Sequence, residues 1–168
     1  PGTKTAKAYY NTRGWIAHRL TNVWGYTSPA GMDIGGAAWL CEHLWEQYAF
    51  TMDKDFLKKV YPIMKSSCEF YIDNLYEEPE NKWLVTGPSA SPETGFLLPD
   101  GKGQSGICAG PTIDLQQLRE LFGNTIQATK ILGLDEDLRK QLAEMRPRIA
   151  PNQIDSEGRL QEWLKPYE

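Results

Sequence analysis

Apolar residues recur at helical spacing along most of the chain. Cys41, Leu44, Trp45 and Tyr48 follow the i, i+3, i+4, i+7 pattern and predict a helix over 36–51. A second stripe, Leu57, Val60, Tyr61, Met64, Cys68, Tyr71 and Leu75, predicts a helix from about 54 to 77, with Asp53 as its cap. Pro62 falls inside that helix and is expected to kink or break it, because proline has no N–H to donate. Pro79 lies just beyond its end. A short helix is expected over 4–12, stopping before Arg13-Gly14. Thr112 is placed to cap a helix over 113–132, and Gly133 to stop it. Asp135 is placed to cap the next, where Leu138, Leu142, Met145 and Ile149 share a face. Residues 95–111 hold five Gly and two Pro and read as loop. Residues 154–160 read as two short extended pieces around a turn. Helix pairs joined by long Gly- and Pro-rich loops predict a mainly α chain, arranged as a helical toroid whose loops build a site at one end.

Composition narrows the chemistry. With 40% apolar and 24% charged residues, the 168-residue chain is expected to fold, as one domain of ordinary size. A net charge of −4 without a basic block makes nucleic acid and anionic membrane poor partners. No apolar run approaches the roughly 20 residues that span a bilayer. The opening Pro1-Gly2-Thr3-Lys4 has no initiator Met and no recognisable signal peptide, and reads as a fragment or a processed product. Cys41, Cys68 and Cys108 are widely spaced and odd in number, which points to neither a disulfide framework nor zinc. Cys41 and Cys68 sit on apolar faces and read as small core residues. His18 and His43 are the only histidines, so no metal site is expected, and nothing calls for a cofactor. Six Trp and eight Tyr are a rich aromatic supply; with the acidic balance set against bases, stacking walls for sugars are the better use of them.

The most informative stretch is 83–93. The apolar run Trp83-Leu84-Val85 ends in Gly87-Pro88, polar turn residues follow, and Glu93 comes directly after Pro92. A carboxylate on a Pro-braced turn, with no basic residue within six positions on either side, is suited to hold a proton and donate it. An ordinary loop glutamate is the plainer reading of that segment alone. Gly14-Trp15-Ile16-Ala17-His18 and Asn22-Val23-Trp24-Gly25 mix aromatics, an imidazole and an amide between helices, a set that suits either a sugar or a core with a satisfied histidine. Trp39 and Trp45 are six positions apart on one helix and point to different faces, so one is core and the other is free to reach a cleft. Glu162-Trp163 is a further carboxylate–indole pair, weak by itself. Asp33, Asp53, Asp100 and Asp114 lie nearest these motifs, but Asp53 and Asp114 stand at helix starts and read as caps or dipole partners.

In chain order, several motifs carry a family resemblance. They are Gly14-Trp15-Ile16-Ala17-His18, Trp24, Gly35-Gly36-Ala37-Ala38-Trp39-Leu40-Cys41, and His43-Leu44-Trp45-Glu46-Gln47-Tyr48 with Phe50-Thr51-Met52-Asp53. After these come Pro88-Ser89-Ala90-Ser91-Pro92-Glu93, Thr112-Ile113-Asp114 and Gly158-Arg159-Leu160-Gln161-Glu162-Trp163. Together they resemble the inverting 1,2-α-L-fucosidases of glycoside hydrolase family ninety-five, over almost the whole chain. The resemblance implies that residues 1–168 are one segment of the (α/α)6 barrel of a larger glycosidase, so the remainder of that barrel is an expected partner. It implies a fucosylated oligosaccharide or glycan as substrate, with terminal α-L-fucose or α-L-galactose removed. It makes Glu93 the general acid and His18, Trp24, Trp39, Glu162 and Trp163 substrate contacts. The family's base, an Asp acting with Asn side chains, falls outside the matched span, so the isolated segment is expected to be inactive. Family members are often secreted or periplasmic. Two positions depart from the pattern: Asn22 stands where Asp is frequent, and Lys165-Pro166-Tyr167 follows the Glu-Trp pair where Asp is common. A non-catalytic carbohydrate-binding or structural helical fragment is the competing expectation, and a helical protein-interaction module a third.

Overall fold

The computed structural model describes residues 2–18, 32–98 and 100–167. The chain opens on a short helix, α1 (Gly2–Thr5), that widens into a π turn over Ala6–Tyr10 and stops where Asn11 turns left-handed at φ 52°. The long helices are α2 (Gly36–Thr51), α3 (Lys54–Asn74), α4 (Thr112–Leu132) and α5 (Glu136–Met145). Helices α2, α3 and α4 pack on one another, and α5 packs on α4. Met52 and Asp53 alone join α2 to α3, so the pair forms an αα-hairpin.

The buried faces follow the sequence stripe closely on α3 and in part on α2, where Leu44 and Trp45 are only partly buried. Leu57, Val60, Tyr61, Met64, Cys68 and Tyr71 of α3 are all buried, as are Ala37, Ala38, Cys41 and Tyr48 of α2. Ala37, Ala38, Cys41, Met64, Cys68 and Tyr71 meet Leu115, Leu118, Leu121 and Phe122 of α4 in a core that also holds Ile16, Ile34 and Val85, while Tyr48, Leu57 and Tyr61 pack with Ala128 of α4 in a second cluster. Cys41, Cys68 and Cys108 are buried free thiols, and burial pushes the Cys41 and Cys108 thiols up to about 12. They therefore stay protonated and act as small apolar residues.

Asp53 caps α3 as expected: its carboxylate accepts from the N–H groups of Asp55 (2.9 Å) and Phe56 (3.0 Å). Asp53→Ala should cost about 1 kcal/mol, read as a lowered denaturation midpoint in the intact protein. Helix α3 runs on through Pro62 without a break. Pro62 is exposed, so water can satisfy the carbonyl that the missing N–H would have bonded. The other two predicted caps are not made. Thr112 is the first helical residue, and its hydroxyl donates to the Gln161 carbonyl (2.6 Å). The Asp135 carboxylate instead accepts from the Tyr61 hydroxyl (2.7 Å) and Lys65 (2.9 Å). Gly133 stops α4 at φ 66°, its N–H bonding the Thr129 carbonyl.

Residues 95–111 are less featureless than expected. Between α3 and α4 run six two-residue strands in three antiparallel pairs: β1 (Tyr76–Glu77) with β2 (Leu84–Val85), β3 (Ser89–Ala90) with β6 (Ile107–Cys108), and β4 (Phe96–Leu97) with β5 (Gln104–Ser105). After α5, Ile149 bridges to Leu84, and Arg119 donates to the carbonyls of Ile149 and Ala150. An antiparallel bridge joins Ile154 to Leu160 across a turn at Gly158, matching the expected pair of extended pieces. The C-terminal segment then lies over the start of α4, where the Thr112 N–H bonds the Glu162 carbonyl at 3.0 Å.

Candidate active site

Two close backbone approaches set up one end of the bundle. Gly14, at φ 67°, packs on α3 so closely that a Cβ would stand 2.0 Å from the Ser66 carbonyl oxygen. Gly36, in the first turn of α2, lies against the Ala17 carbonyl, where a Cβ would come within 2.4 Å. These contacts bring residues 14–18 alongside the start of α2. The space left between them and the first turn of α4 is a cleft of about 390 Å³, a size that suits a sugar ring.

Its walls come from four segments. Ala17 and His18 lie on one side and Asp33, Gly35 and Gly36 at the start of α2. Ile113, Asp114 and Gln117 come from α4, and Pro92 from the turn after β3. Trp39 and Leu40 add an apolar wall whose side chains are half exposed. The peptide bonds Gly87–Pro88 and Pro92–Glu93 are cis. Glu93 follows the cleft-lining Pro92 directly and is exposed to solvent, but it is not itself among the residues that line the cleft.

His18 is buried at 2% exposure, and its Nε2 lies 2.6 Å from the Tyr10 hydroxyl. The Tyr10 phenol is pushed up to about 12, first by burial and then by the negative charge of Asp33 and Asp114. It keeps its proton at neutral pH, and its contact holds the His18 ring in place from the end of the first helix. Asp114 is also fully buried. Its Oδ2 accepts from the Thr86 hydroxyl at 2.8 Å, and Ser89 donates to it as well. Burial pushes its carboxyl up to about 7 against those hydrogen bonds, with help from the nearby Asp33. Ser89 in turn accepts the Ile34 N–H (3.2 Å), and the Tyr71 hydroxyl donates to the Ile34 carbonyl (2.5 Å). The floor of the cleft is thus a polar network that ties β3, the start of α2 and the start of α4 together.

The cleft gathers His18 and Trp39 from the sequence-derived set; Glu93 is the residue after its lining residue Pro92. Trp24 and Asn22 lie outside the described residues. Glu162 and Trp163 line a second groove, of about 520 Å³, formed by the C-terminal segment. Trp15 donates its indole N–H to the Ile63 carbonyl (3.0 Å) and packs on the core, as does Trp45. Sequence reasoning missed Tyr10, Gln117 and the burial of Asp114. Tyr10 had a local signal, as an aromatic at a helix end eight residues before His18. Among the described residues no group of three or more His, Cys, Asp or Glu is disposed to hold a metal ion, and no helix is long and apolar enough to cross a membrane.

Comparison with known proteins agrees with this architecture. The model of the glycosyl hydrolase family 95 catalytic domain matches residues 1–168. The chain belongs to that family. The helices described above are accordingly part of a mainly α, (α/α)6 barrel. Alpha-L-fucosidase 2 of Arabidopsis thaliana is 37% identical over 176 residues, covering 99% of this chain. The chain spans about 20% of that relative's length.

Proposed function

We propose that the protein carrying this segment is a glycoside hydrolase that releases terminal α-L-fucose, or α-L-galactose, by an inverting mechanism, with Glu93 as the general acid. The observation that carries the reading is the family 95 match along the whole chain, shared with a relative named as an alpha-L-fucosidase. The cleft is in keeping with it. An inverting glycosidase needs a protonated carboxyl on the leaving-group side and an ionised one across the ring, about 6.5–9.5 Å away, with a water between. Glu93, exposed and next to the cleft-lining Pro92, is accessible to a glycosidic oxygen. The half-exposed Trp39 ring offers an apolar face to the sugar's C–H groups, and His18, held by Tyr10, lines the same cleft. Trp24 is proposed as a further contact. Phe50, Met52 and Tyr9 expose large apolar surface on the helices, which suits burial against the remainder of the barrel.

The test is to incubate the intact protein with a fucosylated oligosaccharide and follow the released sugar by proton NMR. Fucose should appear first as the β-anomer and mutarotate afterwards, while the isolated 168-residue chain releases none. An α-anomer as first product would overturn inversion. Binding of the oligosaccharide without turnover would assign the protein to carbohydrate binding instead.

A further inference from the structure

The turn that bears Glu93 is gripped on both sides by one stretch of chain. On the N-terminal side the Ser91 hydroxyl, in a residue only 2% exposed, donates to a Glu162 carboxylate oxygen. On the C-terminal side Phe96 stacks on Tyr167, with ring centroids 4.1 Å apart and planes within 12°, and meets the edge of Trp163 at 5.3 Å. That stretch is itself anchored: α4 holds the Gln161 and Glu162 carbonyls through the Thr112 hydroxyl (2.6 Å) and N–H (3.0 Å). Glu162 therefore links the first turn of α4, which lines the cleft through Ile113 and Asp114, to the turn two residues before Glu93. Its carboxylate faces Ser91 and the second groove, and it is not among the residues that line the cleft.

From this geometry we infer that Glu162 is a positioning residue for Glu93, acting through the Ser91 hydroxyl, and not a contact to the sugar. The inference rests on the reading of Glu93 as the general acid. A carboxylate accepting from a buried hydroxyl makes a strong, directional bond, and an acid on a turn works only while its oxygen stays in line with the leaving group. With the bond made, the backbone at 91 is fixed relative to α4, and Pro92 and Glu93 follow from it. With the bond broken, the turn keeps the β3–β6 pairing before it, the Thr94 N–H bond to the Ser91 carbonyl and the aromatic stack beyond Glu93, but it loses the side-chain tie from Ser91 to the segment that α4 anchors.

The experiment compares Glu162→Ala, Glu162→Gln, Ser91→Ala and the double variant Ser91→Ala/Glu162→Ala in the intact protein. Two readouts are taken: steady-state kinetics on a fucosylated oligosaccharide, and amide hydrogen exchange over residues 90–95. Glu162→Ala and Ser91→Ala should each lower kcat about 10–100-fold with KM nearly unchanged. The double variant should lose no more than the worse single, because both break the same bond. Glu162→Gln, whose amide oxygen still accepts from Ser91, should recover most of the rate. Exchange over 90–95 should quicken in both alanine variants and stay near wild type in Glu162→Gln. A raised KM with unchanged kcat in Glu162→Ala would make Glu162 a sugar contact and overturn the inference, as would additive losses or unaltered exchange. If the intact protein hydrolyses no fucoside at all, the proposed function fails. The exchange readout then still decides whether Glu162 holds the turn.

Discussion

Glu93→Gln in the intact protein should lower kcat on a fucosylated oligosaccharide by about 10²–10⁴-fold, the range for removal of a general acid. The amide matches the carboxyl in size and keeps a hydrogen-bond donor, so the cleft should keep its shape and KM should change little. It cannot give up a proton to the departing oxygen. That sets a second expectation that separates a lost acid from a damaged site. α-L-Fucosyl fluoride needs little protonation to leave, so the variant should retain most of its rate on the fluoride while losing its rate on the oligosaccharide. The alkaline limb of the kcat/KM profile, which reports the ionisation of the acid, should flatten in the same variant. Equal losses on both substrates would show that Glu93 does something other than donate a proton. An unchanged kcat on the oligosaccharide would remove it from the mechanism.

Much of the fold could be read from spacing because the helices are held by continuous apolar stripes. Leu57 to Tyr71 on α3 and Leu142 with Ile149 beyond α5 are buried as the pattern requires, and Gly133 ends α4 in the left-handed turn that glycine favours. The misses share one cause. Thr112 and Asp135 stand where caps belong, but each side chain found a partner far along the chain. Gln161 takes Thr112 and the Tyr61–Lys65 pair takes Asp135. Local propensity has no way to weigh such a competitor. The six strands escaped notice because a two-residue strand is too short to show alternation. At the cleft, motif spacing marked His18 and Trp39, whereas the bond that ties the turn before Glu93 joins Ser91 to a residue 71 positions away. Asp114 is the sharpest case. Three residues into a helix it reads as a partner of the helix dipole, and only the fold brings Thr86, 28 positions earlier, beneath it and closes off the solvent.

That burial leads to the second large effect, on stability. The folded Asp114 carboxyl sits at about 7 against an ordinary 3.8, because desolvation outweighs the hydrogen bonds from Ser89 and Thr86 and the charge on Asp33 adds to it. The folded state therefore holds a proton that the unfolded state has already released. Below about pH 4 both states are protonated and the group costs nothing. As pH rises from about 4 to 7 the unfolded chain ionises while the folded one does not, so this group's contribution to stability falls steadily across that window. At about 1.4 kcal/mol per pH unit, the loss is on the order of 4 kcal/mol by neutral pH. Asp114→Asn keeps an oxygen to accept from Thr86 and has no proton to titrate. The difference in stability between variant and wild type should then move in the variant's favour between pH 4 and 7 and level off above. Thermal unfolding of both intact proteins at unit pH steps measures it, since groups common to both cancel in the difference. Asp33→Asn should narrow the window from above, because removing that negative charge lets Asp114 ionise sooner. A difference independent of pH would mean that water reaches the Asp114 carboxyl. A shift in the wild type's favour would mean that the folded protein binds the carboxylate better than the acid, reversing the electrostatics of the cleft floor.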